Sequence, residues 1–216
     1  MDNNQIKKIG GILFLISSCF LFAGCSEEKL ELQEEVVVST EDKNKEAVRV
    51  VLESEFTVPN EEYILSQKNI EKKMDEIQQS LPEGTGFGMP MDSPEWLAYE
   101  ELVGKTYKPY FMDYTYEKLI PTNQAFQFHL STELEDVRYE MKVSDIQVTK
   151  SGNINTPKFY DFTAQVEYTN NAGEVSQHEV KGTAILSEPG KIGKFEIRDV
   201  GGLGEQVRVD RKWNID

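Results

Sequence analysis

The run "YEMKVSDIQV", residues 139–148, puts its apolar side chains at odd positions as far as Val143 and at even positions from Ile146. Successive side chains of a strand point to opposite faces, so one apolar face survives this run only if the phase slips once near Ser144 and Asp145. The segment is therefore either one strand carrying a β-bulge or two strands, and a bulge bends the sheet that contains it. Working outward, the same period of two recurs on both sides. Upstream, Phe126, Phe128 and Leu130 share one parity; downstream come Phe162, Ala164, Val166 and Tyr168, then Val180, Gly182, Ala184 and Leu186, then Phe195 and Ile197. "TNNAGE" (169–174) and "SEPGKIG" (187–193) supply the asparagines and glycines that hairpin turns use. "GGLG" (201–204) reads as a turn before a last strand through Val207 and Val209. The second half of the chain is thus a meander of antiparallel strands with one apolar side.

The first half has a different period. Ala47, Val48, Val51 and Leu52 form a helical stripe behind Asp42, which reads as the N-cap, and the run stops at Pro59. A second helix spans 60–80, with Ile64, Ile70, Met74 and Ile77 near one side. Residues 81–94 hold Gly84, Gly86, Gly88, Pro82, Pro90 and Pro94, which is the composition of a loop. A third helix starts at Ser93 with Pro94 in its first position, runs to about Ile120 with a bend before Pro109, and ends at Pro121. Helices followed by a bent antiparallel sheet make an α+β domain, with the helices on the concave face. In this order of elements the stretch from Glu41 to Arg211 resembles the NTF2-like cone, a fold found in small bacterial lipoproteins and secretion-system proteins. That resemblance implies N-terminal helices packed on a curved sheet around an interior cavity. A lipocalin-like barrel and a cystatin-like helix on sheet are the competing architectures. The barrel has too little helix before its strands, and the cystatin-like fold needs fewer than three helices.

The N-terminus speaks of address. Lys7 and Lys8 precede an uncharged apolar stretch, 9–23, too short for the ~20 residues that span a bilayer as a helix and followed by glutamates. Residues 22–25, Phe-Ala-Gly-Cys behind Leu21, resemble the lipobox of bacterial lipoproteins, with Phe where Leu is usual. The resemblance implies cleavage between Gly24 and Cys25 and a diacylglyceryl group on the Cys25 sulfur. Two acyl chains, each buried methylene contributing ~0.8 kcal/mol, hold a protein on a membrane. Cys19 leaves with the leader and Cys25 is alkylated, so the mature chain has neither a free thiol nor a disulfide. The expected organisation is a signal peptide over 1–24, a lipid-anchored acidic tether over 25–40 and a single α+β domain over 41–216, on the extracytoplasmic face of the cell membrane.

The 23 Lys plus Arg against 38 Asp plus Glu give a net charge of −15. Such a surface repels nucleic acid and anionic headgroups, so the lipid does the anchoring and nucleic acid is not an expected partner. No dedicated chemistry stands out. "GTGFG" (84–88) lacks the strand and the Lys-Ser/Thr of a phosphate loop, and there is no H-E-x-x-H, calcium-loop or G-x-S-x-G pattern, so no metal, cofactor or catalytic residue is assigned. Tyr107, Tyr110, Phe111 and Tyr114 recur at helical spacing, with Tyr116 close by. They either pack the third helix on the sheet or line a pocket there. His129 is out of phase with its neighbours and is expected to face solvent. His178 shares parity with Val180 and should face the covered side, as a further pocket candidate. The expected function is a non-catalytic binding or envelope-assembly module with an envelope protein as possible partner. The alternatives are a cone-type enzyme or a small apolar ligand carrier with its pocket between the third helix and the sheet.

Overall fold

The computed structural model of the chain describes residues 39–82, 85–86, 88–129 and 139–210. The leader, Gly24, Cys25, nearly all of the tether, Gly84 and Leu130 lie outside the described residues. Everything described belongs to one compact unit, which begins at Val37.

The first helix, α1, is Thr40–Phe56. Its N-cap is Ser39 and not Asp42: the Ser39 hydroxyl accepts from the Asp42 N–H at 3.1 Å, which puts Asp42 in the acidic first turn. The buried face comprises Asn44, Ala47, Val48, Val51, Leu52, Glu55 and Phe56, a stripe at helical spacing with two polar members. The second helix, α2, is Glu61–Ser80, capped by Asn60. It lies on the third, α3 (Pro94–Tyr107), whose cap is Ser93. The expected third helix is in fact two. Pro109 has no N–H to give and ends the first of them at Tyr107, and a turn over 108–110 and a single bridge at Phe111 lead to α4, Asp113–Leu119.

Four strands follow: β1 Glu140–Lys150, β2 Phe159–Thr169, β3 Val175–Glu188 and β4 Lys191–Asp199, paired antiparallel in the order β1-β2-β3-β4. The domain is α+β, helices against a four-stranded antiparallel sheet. The sheet is an open meander and is not curled, which corrects the expectation of a cone. The slip in 139–148 is a bulge within one strand. Ser144 pairs with Gln165 and Gln147 with Thr163, so Asp145 and Ile146 face one residue, and Asp145 takes a φ of 48°. Two other expectations fail. Residues 125–129 form turns with Phe126 at φ 54°, so no strand runs through Phe126 and Phe128. The segment through Val207 is a helix, α5 (Leu203–Asp210), in which Leu203 and Val207, one turn apart, are the buried residues.

The covered face of the sheet is set by β2, whose Tyr160, Phe162, Ala164, Val166 and Tyr168 are buried in strict alternation. Phe162 stands opposite Gly182 on β3 and stacks on Phe195 of β4, ring centroids 5.0 Å apart and planes within 11°. A Cβ on Gly182 would meet the Phe162 ring at 2.4 Å and the Glu196 carbonyl oxygen at 2.2 Å, so this position admits only glycine. α1 crosses the covered face, touching β1, β2 and β4, and α4 packs on β4.

Candidate functional site

At the C-terminal end of α1, Glu55 is 3% exposed. One carboxylate oxygen, Oε1, accepts from the Tyr107 hydroxyl at 2.5 Å and from the Phe126 N–H at 3.0 Å; Oε2 accepts from the Gln127 N–H at 2.9 Å. The Phe126 N–H is shared with the Tyr107 oxygen at 3.0 Å. Three segments distant in sequence, α1, α3 and the loop between α4 and β1, therefore meet on one carboxyl group. Burial pushes that carboxyl up to about 7, against the pull of the bonds from Tyr107, Gln127 and Phe126. Burial and the neighbouring Glu55 charge also raise the Tyr107 phenol. The left-handed conformation of Phe126 aims two successive N–H groups at one acceptor, which explains why a non-glycine residue is held there.

The clasp forms one end of a cavity of about 520 Å3. Val51 and Glu55 of α1 line it, with Tyr107 at the end of α3, Phe111, Thr115 and Leu119 around α4, Gln124, Gln127 and Phe128 from the loop, and Gly204 at the start of α5. The remaining wall is the continuous run 195–200, from β4 and the residue after it. A space of this size suits a small ligand or a few residues of a peptide. The cavity lies between the third-helix region and the sheet, where the aromatic stripe was expected to matter.

Of the candidate pocket residues, Tyr107 and Phe111 line the cavity, and the others do not. The break at Pro109 takes Tyr110 and Tyr114 off the common stripe. Tyr110 is half-buried and uses its main chain to hold Ile192, whereas Tyr114 is exposed, 3.3 Å from the Ser187 hydroxyl. His178 is buried as its parity indicates, but away from the cavity. Its Nδ1–H donates to the Gly201 carbonyl at 2.9 Å, Nε2 lies 2.8 Å from the Ser176 hydroxyl, and the ring packs edge-on to Tyr168. His129 does not face solvent. It is fully buried against Tyr63 and Phe126, and its Nε2–H donates to the Ser54 carbonyl at 2.9 Å. Burial holds the ring down to about 4. The parity argument fails there because 125–129 is not a strand. Cys25 and Gly24 lie outside the described residues.

No group of three or more His, Cys, Asp or Glu side chains placed to hold a metal occurs among the described residues, and no described helix is long and apolar enough to cross a membrane. Glu55 and its loop escaped the sequence reading, although a signal existed. Continuing the stripe Val48, Val51, Leu52 by one turn reaches Glu55 beside Phe56, an acidic residue on a buried face. Nothing in the sequence announced that 195–200 would form a wall, because that depends on which edge of the sheet is left open.

No protein-family model matches the chain, and no curated protein matches it. Among solved structures, the solution structure of the protein designated transfer protein TraH, from the Gram-positive conjugative plasmid pIP501, aligns with 47% of this chain and 78% of its own at 16% identity and a TM-score of 0.36. A likeness that distant establishes neither a shared fold nor a shared role.

Proposed function

We propose that this chain is a lipoprotein, fastened by Cys25 to the extracytoplasmic face of the cell membrane, whose domain works by binding in the cavity beside Glu55 and not by catalysis. The observation that carries the binding half is the cavity itself: about 520 Å3, walled by Phe111, Phe128 and Phe195, with the polar groups of Thr115, Gln124 and Gln127 among them. The anchoring half is supported by the ordered leader, apolar run, small residues and cysteine at 7–25. Two measurements test it. Mass spectrometry of the mature polypeptide should find a diacylglyceryl adduct on Cys25, and a Cys25→Ser chain should leave the membrane fraction; an unmodified thiol disposes of the anchor. A neutral naphthylamine dye should bind the detergent-solubilised chain saturably and should lose the site when Gly204→Leu narrows the cavity. An added Cβ at Gly204 meets no atom nearer than Val200 Cγ2 at 4.0 Å, so the first atom of the new side chain has room, and an unchanged melting temperature is the check that the fold is kept.

One observation favours an enzyme as the second reading. The Glu55 carboxyl, held near neutrality at a cavity wall with a phenol in contact, has the protonation behaviour of a general base. Against it, three donors already occupy the carboxyl oxygens, which suits a clasp better than a proton acceptor open to substrate. Turnover of any small substrate that Glu55→Gln abolishes while the protein stays folded would reverse the order of the two readings.

A further inference from the structure

The cavity wall made by β4 has an unusual composition. Side chains of a strand alternate, so a wall built from side chains would recruit every second residue. Here six consecutive residues, 195–200, contribute regardless of parity, the pattern that an exposed strand edge gives. β4 is the last strand of the sheet, paired with β3 on one side. An edge strand turns the N–H and C=O of every second residue outward, and these need partners. The molecule satisfies the beginning of this edge itself: Ile192 donates to the Tyr110 carbonyl at 2.7 Å and accepts from the Met112 N–H at 3.0 Å, a parallel bridge centred on Phe111. At Asp113 the chain turns into α4, whose Thr115 hydroxyl still donates to the Gly193 carbonyl at 2.8 Å, and no main-chain pairing follows it. From Lys194 to Asp199, no main-chain partner outside the sheet is found among the described residues.

We propose that the cavity accepts an extended peptide strand, which continues the pairing begun by 110–112 along the open edge of β4. The proposal rests on the reading of the cavity as the binding site and gives its occupant a chemistry. The side chains of an added strand would alternate between two surroundings. Those on the helix side meet the Phe195 and Phe111 rings, whose centroids lie 6.4 Å apart, and those on the other side meet Lys194 and Glu196, with Arg198 in the bulge where Ile197 pairs with Gly182 and Asp199 with Lys181. The occupant is therefore an apolar-alternating segment with polar residues of either sign between, and main-chain hydrogen bonds supply its affinity.

The test uses the full chain in detergent micelles and a blocked heptapeptide that alternates valine with threonine, glutamate and lysine, together with the same peptide N-methylated at alternate amides. Binding of the plain peptide is expected to slow hydrogen exchange at amides within 194–199, to weaken at least tenfold on methylation in one of the two registers, and to weaken at least tenfold in Gly204→Leu, whose melting temperature serves as the folding control. Equal binding of the methylated peptides, or binding without protection of 194–199, overturns strand pairing. A chain that ignores the peptide but takes up the naphthylamine dye in a Gly204-dependent way also overturns it and leaves the cavity-binding reading standing. Failure of both probes removes both.

Discussion

On β2, five side chains from Tyr160 to Tyr168 are buried because every second position is apolar; at the end of α1, Glu55 is buried because three donors surround it. The first arrangement is redundant. Each ring contributes a few kcal/mol of burial, and its neighbours can close partly over a loss. The second is less redundant, since one carboxyl group is the acceptor for two main-chain N–H groups and a phenol, and of these the Phe126 N–H and the Tyr107 hydroxyl are buried. The sheet face tolerates changes of shape, whereas the clasp tolerates almost no change of kind.

The sharpest way to break this contrast is Glu55→Ala. Removing the acceptor shared by the Tyr107 hydroxyl and two N–H groups should cost about 3 kcal/mol in a urea titration, and a loss below about 1 kcal/mol would show that water replaces the carboxyl. Next comes pH. The folded chain holds the Glu55 proton up to about 7, whereas an unfolded carboxyl lets it go near its ordinary value of 4.5. The group's contribution is thus full below about 4.5 and is lost as pH rises to 7. The difference between the wild type and Glu55→Gln should shrink across that window by about 3 kcal/mol at most. A difference that stays flat or grows with pH contradicts the assignment. On the sheet side, Gly182→Ala drives a Cβ into main chain and ring and should cost about 2 kcal/mol. Gly193→Ala should cost less, because the atoms it meets are the hydroxyls of Ser187 and Tyr114, which can swing aside. The smallest effect is at the bulge: Asp145→Gly should change stability by no more than ~0.5 kcal/mol, since glycine takes φ 48° freely, and Asp145→Val should lose more.

The same contrast explains what could be read in advance. Periodicity reports burial against a regular neighbour, so the four strands, the hairpins and the slip at Asp145 were legible from residues 139–197 alone. Where the chain is irregular, periodicity misleads. Parity assigned His129 to solvent although it lies in a turn with no strand geometry, and Val207 and Val209 were taken as a strand although Leu203 and Val207 make a helical pair. Helix-end chemistry had mixed success. Ser93 caps α3 ahead of Pro94 as read, Asn60 caps α2 where the sequence reading had placed it inside the helix, and Ser39 took the role given to Asp42. The sequence left open whether the aromatic residues around 107–116 pack on the sheet or line a pocket. Tyr107 and Phe111 reached it, the break at Pro109 diverted Tyr110 and Tyr114, and Glu55 entered as a polar residue on an apolar stripe.

Asn44, the other polar member of that stripe, donates to the Tyr160 hydroxyl at 2.9 Å and accepts from the Gly190 N–H at 2.7 Å, a partner 146 residues away. The opening helix therefore cannot complete its docking until the final hairpin has been made. A chain emerging from its N-terminus must keep the apolar side of α1 waiting until Gly190 has been made, and closure of that span comes late. Such a protein should depend on a holding chaperone during its biogenesis, and it should fold slowly relative to helical domains of its size.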